Sequence, residues 1–313
     1  MDDATDVLKP ISPETVLREI AQSIPEFCRK NMVIIGSLAV GYHYFGSQRT
    51  MIVRTKDADC LLSPRVEALS AGVAVTEKLF EENWEFRKDE KWSKPGDVNT
   101  PDDELPAVRL HPPNSREWFL ELLTVPESPT DRAQRWIRLK TRYGHFGLCS
   151  FGFLLLANYE PILTSFGIYI ARPEMMALAN LLEHPEIRPE TMSGLIAGRE
   201  IKRSNKDLGR VLAIARLEVE LDEDALMRWP KLWLDALKKR FPSEWIDLAR
   251  QIGAGIRALL ASEPDLDEAL YTCVQGLLAS RPPTVDMLRI VGKRLLQDAI
   301  EPLEASAEEA GSS

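Results

Sequence analysis

Asp57 and Asp59 stand one residue apart in the mostly apolar run DADCLL, residues 57–62. Side chains alternate faces along a strand, so both carboxylates point to one side if this run is extended. Paired carboxylates beside a phosphate site suit a hard, oxygen-loving divalent cation such as Mg2+. The same segment, MVIIGSLAVGYHYFGSQRTMIVRTKDADCLL, offers such a phosphate site. Met32 to Ile35 reads as a short apolar strand, and Gly36-Ser37 opens a helix behind it. Gly36 lets the backbone turn tightly and approach a ligand with no Cβ in the way. Ser37 suits a helix start, where unpaired N–H groups and the positive dipole end favour phosphate. The chemistry implied is metal-assisted phosphoryl or nucleotidyl transfer.

Several elements must hold these residues in place. The first ten residues are polar. Ser12-Pro13 then reads as N-cap and first helical position, with Val16, Leu17, Ile20, Ile24 and Phe27 at helical spacing. The helix after Gly36 turns Leu38, Ala39, Tyr42 and Phe45 inward and ends at Gly46-Ser47. Thr50 to Leu62 is the aspartate strand, with Ala58 and Cys60 on its buried face, and Pro64 to Glu82 is a helix. Lys88 to Pro106 contains KPGDVNTPDDELP, broken by Pro and Gly, and reads as a mobile loop or an insertion beside the site. Ala107 to Leu110 and Trp118 to Thr124 are strands joined by a turn. Glu121 lies inside the second, and a carboxylate in an apolar run is costly to bury unpaired. It is therefore either functional or ion-paired with Arg109 on the neighbouring strand, with Glu117 as the fallback acid. Asp131 to Arg142 carries Arg132, Arg135, Arg138, Lys140 and Arg142 around Trp136 and reads as a solvated helix with a core-facing tryptophan. Further strands follow over Phe146 to Asn158 and Phe166 to Ile170. From Arg172 onward the pattern is helical, with Pro185 and Pro189 as interruptions. Arg199, Lys202, Arg203, Lys206 and Arg210 recur at three or four residues and form one basic stripe.

Gly36-Ser37 after a strand, followed by Asp57-x-Asp59 on the next one, resembles the signature of the DNA polymerase β-like nucleotidyltransferase superfamily. It is most similar to the small bacterial branches, which include abortive-infection-type toxins. The resemblance covers roughly Met32 to Thr124, and Pro173 to Leu217 more faintly. It implies that Gly36 and Ser37 hold the phosphates of a nucleoside triphosphate, and that Asp57 and Asp59 bind Mg2+ (or Mn2+). Glu121 is then the third carboxylate, a metal ligand on the acceptor side. Lys206-Asp207 resembles a Lys-Asp pair that several branches carry on a helix after the core, where the lysine offsets triphosphate charge. One departure stands out: many relatives have a lysine in the stretch comparable to ALANLL, and this chain has Asn180. The implied fold is α/β, with a mixed-sheet domain over 1–171, a helical C-terminal domain over 172–303 and a disordered acidic tail over 304–313. The implied function is metal-dependent transfer of a nucleoside monophosphate to an RNA, protein or small-molecule acceptor. A toxin–antitoxin toxin with an antitoxin partner is one setting for it. The alternative is a nucleotide-binding or interaction module that kept the fold and lost turnover, which Asn180 fits.

Composition narrows the classes. A formal net charge of −9 argues against tight, non-specific nucleic-acid binding over a broad surface, which needs clustered Lys and Arg. Cys28, Cys60, Cys149 and Cys273 are scattered without a C-x-x-C pair, so a zinc site or disulfide framework is not indicated and a reducing cytoplasm is expected. The acidic start MDDATDVLKP does not read as a secretory signal, and no apolar run spans a bilayer. His43 and His145 lack companions at metal-ligand spacing. No Gly-x-Ser-x-Gly elbow surrounds Ser37, which argues against a serine nucleophile. A metal-dependent glycosyltransferase reading its donor through Asp57-x-Asp59 would leave Gly36-Ser37 without a role.

Overall fold

A computed structural model describes residues 10–46, 52–89, 91–129, 131, 134–187, 195–196 and 198–311. The polar N-terminal stretch to residue 9, Thr50 at the head of the expected aspartate strand, Arg132 and Pro189 lie outside them. The chain opens with strand β1 (Pro10–Ile11), helix α1 (Pro13–Ser23), β2 (Met32–Ile34), α2 (Gly36–Phe45), β3 (Val53–Arg54) and β4 (Asp57–Leu62). Next come α3 (Arg65–Glu81), β5 (Glu85–Phe86), β6 (Arg109–His111), β7 (Phe119–Thr124), β8 (Arg135–Thr141) and β9 (Gly144–Ser150). A short α4 (Leu154–Ala157), β10 (Ile162–Leu163) and β11 (Tyr169–Ile170) follow. Helices then run to the end: α5 (Pro173–Ile187), α6 (Arg203–Leu221), α7 (Trp229–Arg240), α8 (Trp245–Gln251), α9 (Ala254–Ala261), α10 (Glu263–Val274), α11 (Val285–Leu295) and α12 (Glu301–Gly311). The fold is α/β: a mixed sheet and a helical C-terminal region. Among the described residues, no helix is long and apolar enough to cross a membrane.

Two compact units divide the chain. The first holds Ile11–Thr50 and Thr55–Arg172, the second Met1–Pro10, Met51–Arg54 and Pro173–Ser313. In the first unit, β10-β11-β2-β4-β7-β6-β5 lie side by side, and β9 joins β7 and carries β8. The centre is mixed: β4 runs antiparallel to β2 and parallel to β7. Helix α1 starts where Ser12 accepts from the Thr15 N–H, as the Ser-Pro pair predicts. Helix α3 covers the sheet face carrying Leu62 and Leu148. A Cβ on Gly72 would lie 3.1 to 3.4 Å from the Leu139, Leu62 and Leu148 side chains, so a larger residue there would need these leucines to give by a few tenths of an ångström. Ala58, Cys60 and Leu62 alternate onto that sealed face, which turns Asp57 and Asp59 to the other.

Two expectations change here. Residues 135–141 are strand β8, paired along its length with β9, where a helix was expected. Arg135, Arg138 and Lys140 put charge on both faces of this strand, which masks its alternation. The KPGDVNTPDDELP segment, expected to be a mobile loop or an insertion, is tied down from β8 and β9. Gly96 exchanges two backbone hydrogen bonds with His145, at 3.0 and 2.8 Å. Arg138 donates to Asp102 Oδ1 at 2.6 Å, to the Asp97 carbonyl at 3.1 Å, to His145 Nδ1 at 2.8 Å and to the Thr100 carbonyl. One guanidinium thus closes three contacts on a segment with little apolar surface of its own and a fourth to His145 on β9.

In the second unit α6 packs against α5, α10 and α11. Gly209 of α6 meets α10 so closely that a Cβ there would lie 2.8 Å from the Ala269 carbonyl oxygen. Lys202, just before α6, reaches Asp265 at 2.6 Å, and Asn205 donates to Asp265 and Glu268 at 2.8 and 2.9 Å. The five-residue basic stripe does not lie on one helix, because Arg199 and Lys202 precede α6. Helix α5 continues through Pro185 to Ile187. The tail is helical through Gly311 where disorder was expected. Leu303 and Ala307 are buried one turn apart, and Glu304 forks onto Arg257 at 2.7 and 2.6 Å.

Two substitutions test this packing. Arg138→Ala removes charge-assisted hydrogen bonds worth about 1.5–3 kcal/mol each, so amide exchange at Gly96 and His145 should rise at least tenfold by mass spectrometry. Gly209→Ala forces α6 and α10 apart and should cost about 1–3 kcal/mol in denaturant unfolding.

Candidate functional site

Three adjacent strands of the first unit build the site. Strand β2 delivers the chain to Ile35, whose N–H donates to the Asp59 carbonyl at 2.9 Å. Gly36 follows with φ +72°, a left-handed conformation that side chains disfavour. A Cβ on Gly36 would sit 2.9 Å from Asp59 Oδ2. The Asp59 carboxylate therefore rests over the Gly36 backbone at the mouth of α2. Ile35 gives that mouth no side-chain cap. The first-turn N–H groups have no internal helical partner, and the dipole is positive there. Ser37 is half-buried, and among the described residues its hydroxyl makes no hydrogen bond.

Asp57 shares the face of Asp59. The buried Thr55 hydroxyl donates to Asp57 Oδ1 at 2.5 Å and fixes that carboxylate. Cys60 faces the other way. Burial and then the neighbouring Asp59 charge hold its thiol far above the ordinary range, so it is no nucleophile.

Glu121 is the register partner of Asp59 on β7 and of Arg109 on β6. Arg109 forks onto it, with Nε to Oε2 at 2.9 Å and Nη2 to Oε1 at 3.1 Å. Burial by itself would lower the basicity of Arg109. The Glu121 charge and hydrogen bonds, with Asp89 and Asp59 farther off, hold it above the ordinary arginine value instead. The ion pair weighed from sequence is present, and both Glu121 oxygens are engaged by it.

The row continues to Arg87, just past β5, whose N–H donates to the Arg109 carbonyl at 2.8 Å. Its guanidinium lies 4.4 Å over the Phe119 ring. His111 completes the face. Burial, with Arg116 and Arg87 nearby, lowers its pKa against the pull of its hydrogen bond to Trp118. Neutral, it donates from Nδ1 to the Trp118 carbonyl at 2.8 Å. Thr55, Arg87 and His111 were not singled out from the sequence. The part of Arg87 and His111 depends on the β5–β6–β7 register, which no local pattern announces, whereas Thr55 acts on Asp57 only two residues away.

The divalent ion that the sequence resemblance implies can be judged against this donor set. Among the described residues, no group of three or more His, Cys, Asp or Glu side chains is placed to hold a metal. Two carboxylates remain on one face, and Mg2+ is ordinarily held by one or two carboxylates with waters and substrate phosphates. Asp57 and Asp59 fit that pattern, whereas Glu121 sits in the arginine fork. Lys206 and Asp207 belong to the second unit, on α6. Asp207 is buried, with Oδ1 3.9 Å from Arg210. Asn180 on α5 is 5% exposed, and among the described residues its amide nitrogen has no hydrogen-bond partner.

Gly36→Ala tests the close approach. It should cost about 1–2 kcal/mol in left-handed strain, with more for displacing Asp59, read as a lower denaturation midpoint. Compared with known proteins, the chain matches no family model and no curated protein. Among solved structures it is similar to the crystal structure of an antigenic nucleotidyltransferase-like protein from Paracoccidioides brasiliensis. That likeness has a TM-score of 0.36 and 14% identity, over 84% of this chain and 95% of that one.

Proposed function

We propose that this chain transfers a nucleoside monophosphate from a nucleoside triphosphate to a hydroxyl-bearing acceptor, with a divalent ion. One observation carries the reading: the Asp59 carboxylate lies against Gly36 at an uncapped helix mouth, with Asp57 beside it on the same strand face. A site for anions and a site for a cation thus share one edge of β4.

Asp57, pinned by Thr55, and Asp59 hold Mg2+ (or Mn2+). When bound, that ion neutralises triphosphate charge and stabilises the charge developing on the α-phosphate and the pyrophosphate leaving group. The α2 N–H groups and the Ser37 hydroxyl hold the β- and γ-phosphate oxygens. Glu121, oriented by Arg109, stands one strand along from Asp59 and takes the proton from the attacking acceptor oxygen. Lys206, with Asp207 next to it, keeps the role the resemblance assigns: cationic charge for the triphosphate. The acceptor is an RNA, a protein or a small molecule, and a toxin with an antitoxin partner is one setting for the activity.

A second reading has an observation of its own. Asn180, buried with an unpartnered amide nitrogen, occupies the place where many relatives resembling this chain carry a lysine. That fits a module that binds nucleotide without turning it over.

Incubation with α-phosphate-labelled triphosphates, Mg2+ and cell lysate or RNA separates the two. Label transfer is expected, with loss of at least 100-fold in Asp57→Asn and Asp59→Asn at an unchanged melting temperature. Transfer at the wild-type rate in both variants would discard the metal assignment. Saturable Mg2+-dependent nucleotide binding without any transfer would establish the second reading.

A further inference from the structure

We propose that Arg87 and Arg109 form an anion subsite on the open sheet face, and that it takes a phosphate group carried by the acceptor. The acceptor assignment rests on the nucleotidyl-transfer reading; the subsite itself does not.

Arg87 is half-buried, with its guanidinium carbon over the Phe119 ring, 4.4 Å from its centroid. Stacking fixes the plane of a guanidinium while leaving its in-plane N–H donors available. Among the described residues, the Arg87 side chain makes no hydrogen bond and no ion pair, and none of its nitrogens is buried without a partner. It is an ordered cation whose donors are unspent. Arg109 is its backbone partner on the adjacent strand, through the 2.8 Å hydrogen bond from the Arg87 N–H. The fork to Glu121 uses Nε and Nη2 of Arg109. Its Nη1 makes no hydrogen bond among the described residues, so the outer edge of that guanidinium can serve a second anion.

The nearby carboxylates do not fill this role. Asp89 acts on Arg109 through its charge, but its Oδ1 already accepts the Lys91 and Trp92 N–H groups at 3.0 and 2.7 Å. Glu85 is paired with Arg116. Two like charges at facing strand positions repel. A phosphate would relieve that repulsion and fit the planar donor forks.

Strand order decides which phosphate this is. The helix mouth that would receive the triphosphate lies on the β2 side of β4. Arg109 and Arg87 lie on the other side, beyond β7, with the carboxylates between. The acceptor is therefore a phosphate ester, anchored by that group while its hydroxyl reaches Glu121.

The test titrates the full-length, metal-free chain with inorganic phosphate by calorimetry. Saturable binding is expected, weakened at least tenfold in Arg87→Gln and less in Arg87→Lys, with circular dichroism unchanged. No saturable binding to wild type, or an Arg87→Gln affinity within twofold of it, would overturn the subsite. A second arm adds Mg2+ and a non-hydrolysable triphosphate analogue at saturation. Phosphate binding that persists and still depends on Arg87 supports the acceptor assignment. Displacement by the analogue gives the arginines to the triphosphate and overturns that assignment. The metal-free arm reads the subsite whether or not nucleotidyl transfer occurs, so the two failures are distinguishable.

Discussion

A carboxylate oxygen of Asp59 lies 2.9 Å from where any residue other than glycine at position 36 would place its Cβ. That contact needs a left-handed backbone at Gly36, a fixed β2–β4 register, and a strand face that turns Asp59 toward the helix mouth. The register is held by backbone pairing from Met32↔Leu62 to Ile34↔Cys60 and continued by the Ile35 N–H on the Asp59 carbonyl. Slipping β4 by one residue would send both aspartates onto the face covered by α3 and bring Ala58 and Cys60 into the open. The sealed face prevents this, because Ala58, Cys60 and Leu62 are fully buried on it. Hydrophobic packing on one side of β4 thus fixes the placement of the aspartates on the other.

The aspartate strand was legible because its two faces differ so sharply in polarity, and helix α1 because its Ser-Pro start has a local cap. Strand β8 was not. Its charged residues fall on both faces, and its extended form depends on pairing with β9, a non-local contact. The segment before β6 was misread for a related reason. Its prolines and glycines describe a chain with little order of its own, whereas its order comes from Arg138, far along the sequence. The C-terminal helix shows the same limit, since Leu303 and Ala307 are too sparse a stripe to outweigh the acidic composition. In each case the deciding partner lay outside the window in which a periodicity is read.

The pairing of Glu121 with Arg109 bears on how an acidic face stays folded. Asp59 and Glu121 are direct partners on parallel strands, with Asp57 two residues away on the same face. Like charges so placed are destabilising, and removing one partner of a part-buried pair leaves the other uncompensated. Arg109 answers this from the next strand by taking both Glu121 oxygens. The face is thereby divided: Glu121 is engaged by Arg109 within the protein, while Asp57 and Asp59 stand beside it on the neighbouring strand.

That division also bears on how the site could act. A glutamate locked in a fork has a fixed direction, which serves proton transfer better than a swinging side chain does. It has less to give to a metal, since both its oxygens already accept strong hydrogen bonds. Among the described residues no three-carboxylate cage is formed, and Glu121 stands beside Asp57 and Asp59 as an oriented neighbour. Beyond that fork the row continues to Arg87, so the sheet face passes from the N-terminus of α2 to carboxylates to arginines within five neighbouring strands. An anion on either flank would meet positive potential, and the carboxylates between would meet whatever cation bridges them. Such alternation is what a reaction joining two anionic partners requires of a surface that is acidic at its centre.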